Sequence, residues 1–422
     1  MGKKYENACL FSMLAEGSGR VIRWLHISDL HIVQKADWNS FERELLQKCQ
    51  EYDKIDLVIV TGDFHNFEDG NDFHLAANFL QRLLGSLKLN MNMDLFVVPG
   101  NHDGVSSVQM KEAIIQAAKS KPFDNTEQWV DVLLTAFQDY ETFVKKLIPN
   151  YPEKHPASVH SRIWRNRINF VHCNTALAAD GKEKTNQLLD VDALAAATYA
   201  LDKPNIILAH NNFFDLHQDL QRRVQDSIRI NSICAYFCGD QHKQSVEEIF
   251  IGEDKVPCVV SYKGSPDPRD SYSSFGIIFG EWEGRMAELK GWCWESGKGF
   301  IDDREITGKR FSMQLNQAMS PVAFSEAKKC DQGLDVSEKN SNTQIEEYTL
   351  KRRFISDYYK LTYQQRVLFN QKHKDMQLPL EPNSVESELL EYVRVAQEKG
   401  ILENLFKDLS LVLANGKVSS ID

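Results

Sequence analysis

The sequence predicts an α/β protein in which two β-sheets stack face to face between flanking helices, with a small all-α module at the carboxyl end. Three observations support this prediction. Short apolar runs alternate with amphipathic stretches of helical period as far as residue 98. Further apolar runs continue to about residue 294, and two stacked sheets would absorb this number of strands. Beyond residue 345 the apolar pattern is helical only.

The first part of this pattern predicts three short strands with helices between them. Apolar runs at 21–27, 55–61 and 95–98 have the composition of buried strands. Apolar positions recur at helical spacing in 38–52 and 73–87, which predicts one helix in each interval. Further strands are predicted at 168–174, 206–209, 233–238, 256–262, 275–282 and 286–294, the last two joined as a hairpin at Glu283-Gly284.

Composition divides the chain into a tail, a main domain, a linker and a module. Residues 1–20 show no clear period and are expected to be a tail or a helix packed on the domain at 21–300. A helical pattern at 108–148 predicts an insertion in that domain, and its apolar stripe belongs either to the core or to a lid over the substrate. Residues 301–344 are polar and predict a linker, whereas 345–422 predict a helical module near the size that folds alone.

The charge and the composition disfavour some classes of protein. The chain carries 49 basic and 60 acidic residues, a net charge of −11, so it is not an obvious non-specific binder of nucleic acid. No apolar run approaches the roughly 20 residues that span a bilayer, and residues 1–20 lack the apolar core of a signal peptide. The eight cysteines form no Cys-x-x-Cys pair and fit reduced, buried thiols. A cytoplasmic location without membrane attachment is therefore expected.

Polar residues of metal-binding types follow five of the apolar runs. They are Asp29 with His31, Asp63, the stretch Asn101-His102-Asp103, His210, and Asp240 with His242. Functional side chains collect at the carboxyl ends of the strands in α/β layer structures, so these residues are expected to converge. Carboxylate, amide and imidazole donors suit two divalent cations such as Mn²⁺, Fe or Zn²⁺, with one carboxylate bridging them.

The order of these motifs resembles the signature of the calcineurin-like metallophosphoesterase superfamily. That signature runs Asp-x-His, Gly-Asp, Gly-Asn-His-Asp/Glu, a lone His and Gly-His-x-His, and its counterpart here covers about residues 21–294. The resemblance implies the two-sheet metallophosphoesterase fold and two divalent metal ions, of which Mn²⁺ is favoured over Fe, Zn²⁺ or Mg²⁺. The implied ligands are Asp29, His31, Asp63 and His242 for the first ion, and Asp63, Asn101, His210 and Asp240 for the second.

The resemblance also implies that the chain hydrolyses phosphoric esters. A hydroxide that bridges the two ions would be the nucleophile, His102 would be the general acid, and Asp103 would orient His102. The next residue, Gly104, stands where Ser/Thr protein phosphatases of the superfamily carry Arg. This difference favours a phosphodiesterase or a nuclease over a phosphomonoesterase, with a nucleotide or a nucleic acid as the substrate.

Two positions depart from the family pattern. Asp240 stands where the signature has His, and Asn211 stands beside His210, where relatives often carry a second His. A carboxylate at position 240 still ligates and shifts the preference toward harder cations such as Mn²⁺ or Mg²⁺. Weakening of the second site is the alternative, and it implies a catalytically weakened scaffold that binds partners through the helical tail.

The carboxyl-terminal module resembles the small helical adaptor domains appended to effectors in bacterial defence systems. The likeness rests on the apolar pattern of residues 350–415. It implies an effector role in defence or signalling, with a protein partner or self-association through 345–422. A helical extension that packs on the main domain is the alternative.

Two further side chains lie close to these motifs in the sequence. His65 follows Asp63 by two residues and is expected in a surface loop, with a contact to the substrate as the alternative that the resemblance implies. Lys263 follows the strand predicted at 256–262, where it would either meet a phosphate or lie in a solvated turn.

Overall fold

The computed structural model describes residues 21–313 and, beyond them, isolated positions between 358 and 409. The internal gaps are residues 33–35, 53, 66–72, 105–108, 121–125, 179–184, 199–202, 232, 253, 265–274 and 296. The predicted tail, most of the predicted linker and most of the predicted helical module therefore lie outside the described residues. Within the described part of the chain, no helix has both the length and the apolar character that crossing a membrane requires.

The described residues contain thirteen strands in two mixed sheets. In chain order they are β1 (Ile22–Ile27), β2 (Leu57–Thr61), β3 (Leu95–Val98), β4 (His160–Trp164), β5 (Ile168–His172), β6 (Asn205–Leu208), β7 (Ile233–Cys238), β8 (Ser245–Ile251), β9 (Asp254–Val260), β10 (Phe275–Glu283), β11 (Met286–Glu295), β12 (Gly299–Asp303) and β13 (Arg310–Ser312). The first sheet has the order β12-β11-β10-β1-β2-β3, with β13 also paired to β11, and the second has the order β4-β5-β6-β7-β9-β8. The predicted two-sheet α/β fold is confirmed.

Each sheet contains a run of adjacent parallel strands. β1, β2 and β3 run parallel in the first sheet, and β5, β6, β7 and β9 run parallel in the second. Every residue of β2, β3, β6 and β7 is buried, as expected for parallel strands that are covered on both faces. Parallel strands end at the same edge of a sheet, so the residues that follow them are brought together.

The two sheets pack against each other through alternate residues of their strands. Trp24 of β1 lies in the core between the sheets, whereas its neighbour Leu25 belongs to the core formed with the helices. Across the interface, the ring centroids of Phe96 and Phe170 lie 4.3 Å apart. Those of Trp24 and Phe237 lie 6.0 Å apart. The sandwich is therefore held by large apolar side chains that are removed from water on both inner faces.

Helices flank the two sheets. Their bounds are Ala36–Gln50, His74–Leu87, Met91–Asp94, Gln109–Ser120, Thr126–Leu134, Gln138–Leu147, Val191–Ala197 and Gln218–Ile230. The second of these buries Phe79, Leu80 and Leu83 on one face, in agreement with its predicted helical period.

Three of these helices occupy the interval in which the sequence predicts an insertion. The apolar stripe of this region packs in the core, where Phe137 and Tyr140 are buried, and does not form a lid. The ring centroids of Tyr140 and Phe143 lie 6.0 and 5.2 Å from that of Phe64. Phe64 directly follows Asp63, so the insertion supports the loop that carries this aspartate.

The first sheet continues past residue 300, where the composition predicts a polar linker. β12 pairs with one end of β11, and β13 pairs with the other end. Ile306 and Phe311 are buried in this segment, while most residues of its two short strands are partly or fully exposed. Edge strands that face water carry many polar residues, so composition alone does not distinguish them from a linker.

Candidate metal centre

The nine site residues predicted from the sequence lie where parallel strands end. Asp29 and His31 follow β1, Asp63 follows β2, Asn101-His102-Asp103 follow β3, His210 follows β6, and Asp240 and His242 follow β7. The first three strands belong to one sheet and the last two to the other. The site is therefore assembled from the strand ends of both sheets.

Hydrogen bonds hold the strand-end loops against one another. The N–H of Asp29 donates to Gly62 O at 3.0 Å, and the N–H of His31 donates to Asp63 O at 2.9 Å. Between the two sheets, the N–H of Asp240 donates to Asp29 Oδ2 at 3.1 Å. The loops after β1, β2 and β7 are thus held relative to each other by hydrogen bonds that do not involve a metal.

Five of the nine residues have a left-handed backbone conformation, which non-glycine residues rarely adopt. The φ angles are 49° at Asp29, 39° at His31, 55° at Asp63, 63° at Asp240 and 54° at His242. Such a conformation costs on the order of 1–3 kcal/mol at each position and persists only where the surrounding structure imposes it. Here it occurs where the chain turns sharply at the end of a strand and directs side chains into the cluster.

Two glycines allow the loops to approach each other closely. A Cβ atom at Gly100 would overlap the backbone N and Oδ1 of Asp63. A Cβ atom at Gly239 would overlap Asp29 Oδ2 and Ser28 Oγ. Glycine therefore precedes the Asn-His-Asp and Asp-Gln-His stretches because any side chain there would displace a carboxylate of the centre.

The first group of ligand-type atoms belongs to Asp29, His31 and His242. One such atom from each residue lies within 4.8 Å of the other two, and His242 Nε2 lies 3.3 Å from Asp29 Oδ1. Burial lowers the pKa of His31 to about 3, so its ring is neutral, which is the form that binds metals. Burial alone would raise the pKa of Asp29, but the hydrogen bond to His242 and the nearby imidazoles hold it below its usual value. Asp29 is therefore ionised.

The second group surrounds His210, which is fully buried. Its Nδ1 lies 2.7 Å from Thr61 O, so Nδ1 carries the proton and Nε2 presents a lone pair in the neutral ring. Three oxygens face this Nε2: Asn101 Oδ1 at 2.8 Å, Asp63 Oδ2 at 3.5 Å and Asp240 Oδ1 at 3.6 Å. Burial alone would lower the pKa of His210, but Asp63 and Asp240 raise it well above its usual value. In the absence of a metal, Nε2 is protonated and its N–H group faces these three acceptor oxygens.

Asp63 lies between the two groups. Its Oδ2 is 3.5 Å from Nε2 of both His31 and His210. Its Oδ1 accepts the backbone N–H of His102 at 2.9 Å. Burial raises the pKa of Asp63 to about 7 in the metal-free chain, and the charge of Asp29 contributes to the same shift. A bound cation would relieve this repulsion between neighbouring carboxylates.

The donor set fits two divalent cations that share one carboxylate. Its imidazole, carboxylate and amide groups are the ligand types of Mn²⁺, Fe and Zn²⁺. His31 Nε2 is buried and makes no hydrogen bond among the described residues. The contact of 2.8 Å between His210 Nε2 and Asn101 Oδ1 requires either a proton on Nε2 or a cation bound by both groups. Both observations are compatible with metal binding.

His102 lies on the open side of the cluster. Its side chain is 33% exposed, whereas that of Asp63 is 2% exposed. Its Nε2 lies 3.9 Å from Asp63 Oδ2, and its ring meets the ring of His31 edge-on at 4.7 Å. Burial lowers the pKa of His102. The ring therefore borders both the ligand cluster and the solvent from which a substrate would enter.

Asp103 has a different contact from the one expected of a residue that orients the His102 ring. Its carboxylate accepts the backbone N–H groups of Gly100, Asp63 and Phe64 at 2.8, 2.8 and 2.9 Å. The buried Nδ1 of His102 makes no hydrogen bond among the described residues. Because backbone donors occupy both of its oxygens, Asp103 joins the loop after β3 to the loop after β2.

Two side chains near the centre differ from their sequence expectations. Lys263 is buried, at 4% exposure, and its charge contributes to the lowered pKa of His31, so the solvated turn is wrong. His65 is also buried, and its ring packs edge-on against Phe73 at 4.6 Å, so the surface loop is wrong as well. Both residues lie just beyond a buried strand, which is the same signal that identified the candidate ligands.

Solved structures similar to this chain include two phosphatases and an anchor protein. A purple acid phosphatase from yellow lupin matches with a TM-score of 0.46 and 13% identity. A dimetal phosphatase from Danio rerio matches with a TM-score of 0.41 and 10% identity. The anchor in the inner membrane complex of Plasmodium matches with a TM-score of 0.36 and 11% identity. The matches cover 76%, 68% and 75% of this chain, and 58%, 99% and 98% of the others. The chain thus spans 58% of the length of the lupin enzyme. A comparison with curated proteins finds no match.

The family model for calcineurin-like phosphoesterases matches residues 22–244, which is more than half of the 422-residue chain. The matched range includes β1 to β7 and all nine residues of the candidate centre. The two-sheet fold and the cluster of metal-ligand atoms agree with this match. The chain belongs to the calcineurin-like phosphoesterase family.

Proposed function

We propose that the chain is a metal-dependent hydrolase of phosphodiesters, either a phosphodiesterase or a nuclease. The observation that carries this proposal is the position of Asp63 Oδ2, which lies 3.5 Å from an imidazole nitrogen of each ligand group. A carboxylate shared by two donor groups is typical of two-metal sites that stabilise both the attacking and the leaving oxygen of phosphoryl transfer. Membership of the phosphoesterase family supports the same class of reaction.

Seven residues are proposed to hold the two ions. Asp29, His31, Asp63 and His242 would bind the first ion, and Asp63, Asn101, His210 and Asp240 would bind the second. When bound, the ions supply Lewis acidity and lower the pKa of the attacking water. Three of the four donors in the second set are oxygens, which favours Mn²⁺ over Zn²⁺ at that position.

His102 is proposed to protonate the leaving oxygen. Its backbone N–H is tied to Asp63 Oδ1 at 2.9 Å, which fixes the start of the side chain beside the shared carboxylate. Its ring is partly exposed, so it can contact a substrate that the buried ligands cannot reach. A general acid must lie within hydrogen-bonding reach of the leaving group, and a partly exposed ring beside the proposed shared carboxylate is suited to that role.

The loop after β3 supports a diester substrate. Gly104 is buried, and a Cβ atom there would lie 3.0 Å from the ring of Phe137. A larger side chain at this position would require Phe137 to shift, and the chain lacks here the arginine that would bind the additional charge of a monoester. The net charge of −11 disfavours long duplexes. Nucleotides and single-stranded nucleic acid are the proposed substrate class.

The direct test measures metal content and hydrolysis on the same protein. The full chain would be analysed for bound metals and assayed with Mn²⁺ against bis-p-nitrophenyl phosphate, p-nitrophenyl phosphate and single-stranded DNA. We expect two ions per chain and faster cleavage of the synthetic diester than of the monoester. Faster cleavage of the monoester would contradict the diester assignment. Absence of both metal and cleavage would favour the scaffold alternative.

The position of Asp240 favours the enzyme over the weakened scaffold. Asp240 is 9% exposed, and its Oδ1 lies 3.6 Å from His210 Nε2. A carboxylate buried beside other acidic groups is unfavourable unless a cation joins them. The aspartate at this position is thus suited to retain the second ion.

We also propose that residues 345–422 form a helical module that binds a protein partner or a second copy of the chain. Tyr358 and Phe369, two of its few described positions, are buried with their ring centroids 5.9 Å apart. An effector role in bacterial defence or signalling rests on the resemblance of this segment to adaptor domains. Deleting 345–422 is expected to lower the number of chains per particle measured by light scattering or to change the control of activity, and no change in either would contradict the proposal.

A further inference from the structure

The two residues that depart from the family pattern contact each other in the structure. Asn211 and Asp240 are both buried, with exposures of 2% and 9%. The amide Nδ2 of Asn211 donates a hydrogen bond to Asp240 Oδ2 at 3.0 Å. The two departures are 29 residues apart in the sequence but form one pair at the second ligand group.

Because of this hydrogen bond, the two carboxylate oxygens of Asp240 have different partners. Oδ2 faces the Asn211 amide, whereas Oδ1 lies 3.6 Å from His210 Nε2, within the ligand group. An aspartate side chain is shorter than that of histidine, and its carboxylate is able to rotate. A donor that holds one oxygen restricts this rotation and leaves the other oxygen directed at the cation position.

Asn211 is itself held in place by its backbone. Its N–H donates to Thr175 Oγ1 at 2.9 Å, and its carbonyl oxygen accepts the Tyr236 hydroxyl at 3.0 Å. Thr175 and Tyr236 are fully buried. The opposite orientation of the amide would bring its oxygen against the Asp240 carboxylate, so that two acceptors would meet. The side-chain NH2 group of Asn211 therefore faces Asp240.

We propose that Asn211 is a positioning residue for the second metal ion. Its amide holds Asp240 as a single-oxygen ligand at the position where the family signature has an imidazole. This inference rests on the proposed function, because it requires that a second ion binds beside His210. Hydrogen bonds that orient metal ligands typically contribute about 10- to 100-fold to metal affinity.

The neighbouring Asn212 provides a matched control. It is fully buried and follows the same strand, but its amide donates to Glu247 Oε2 at 3.2 Å. Its Oδ1 accepts the backbone N–H of Phe214 at 3.2 Å and so caps the short helical turn that follows. A serine at position 212 would retain an oxygen for this hydrogen bond. Asn212→Ser therefore removes a buried amide donor of the same kind without removing the donor to Asp240.

The test titrates Mn²⁺ alone into the metal-free full chain by calorimetry. The variants are Asn211→Ala, Asn211→Leu, which keeps a branched side chain with the same number of non-hydrogen atoms, the control Asn212→Ser, and Asp240→Ala as the reference for a lost second site. Wild-type protein is expected to bind two ions. Both Asn211 variants are expected to bind the second ion at least about tenfold more weakly. The affinity for the first ion and both affinities of the control should stay near wild-type values. The unfolding temperature of the metal-free Asn211 variants should fall no further than that of metal-free Asn212→Ser, which also loses one buried amide donor.

The possible outcomes separate this inference from the proposed function. Wild-type affinity for both ions in both Asn211 variants would overturn the inference and leave the proposed function intact. Weaker binding of both ions, a lower unfolding temperature of the metal-free Asn211 variants than of metal-free Asn212→Ser, or the same loss of second-ion affinity in Asn212→Ser would indicate a structural role and overturn it as well. Wild-type protein that binds fewer than two ions would overturn the proposed function and the inference together.

Discussion

Replacing Asp63 by asparagine is expected to lower hydrolysis of bis-p-nitrophenyl phosphate by about 10³-fold and to reduce the bound metal from two ions to one or none. Asparagine retains the oxygen that accepts the His102 N–H at 2.9 Å. It removes the charge of the carboxylate whose Oδ2 lies 3.5 Å from both His31 and His210. The magnitude follows from the loss of several kcal/mol of transition-state stabilisation, at roughly 1.4 kcal/mol for each factor of ten.

Elemental analysis and steady-state kinetics with added Mn²⁺ measure both parts of this prediction. Asp94→Asn is the matched control, because Asp94 is as buried as Asp63 but accepts hydrogen bonds from Trp164 and Arg165, away from the centre. The control should keep both ions and the wild-type rate. Retention of two ions and a normal rate in Asp63→Asn would show that this carboxylate is not shared between metals.

Replacing His102 by glutamine is expected to lower kcat for a dinucleotide by about 10²- to 10⁴-fold, the range for loss of a general acid. Both ions should remain bound, because His102 contacts the shared carboxylate through its backbone N–H, which the substitution retains. The loss should be much smaller for bis-p-nitrophenyl phosphate, since p-nitrophenolate is a stable anion that leaves without a proton. Comparing kcat for the two substrates in one variant therefore isolates the proton transfer.

His155→Gln serves as the control for this comparison. The His155 side chain is 54% exposed and lies 3.5 Å from Glu141, away from the centre. Its replacement should leave both rates unchanged. Equal losses on the two substrates in His102→Gln would argue that His102 acts in substrate binding, and loss of a metal ion would make it a ligand.

The strands that carry the centre are predictable from the sequence because apolar residues predominate in each of them. β3 and β7 occur at the predicted bounds, 95–98 and 233–238. Both are buried on two faces, which demands apolar residues throughout. The strands β4 and β8 escape prediction, because alternate residues of β4 are exposed and β8 is partly exposed along most of its length. Their patterns contain no continuous apolar run.

The contacts of the polar side chains around the centre are decided by the tertiary structure. Asp103 is predicted beside the His102 ring but instead accepts backbone N–H groups from two loops. Lys263 is compatible with a solvated turn in the sequence, yet it is buried beside the centre. A local pattern indicates that a residue follows a strand, but it does not indicate which backbone donors or charges surround that residue.

The sequence by itself determined the strand-end positions of the candidate ligands, their chemical types and the family signature that they form. These properties are local, because each motif is a few residues that follow an apolar run. Only the tertiary structure decided that Asp63 lies between two donor groups and that Asn211 holds Asp240. The physical reason is that these contacts join loops from different strands and sheets, as between Asp240 and Asp29, which are 211 residues apart in the chain. Such distances are set by the packing of the two sheets, which no single stretch of sequence contains.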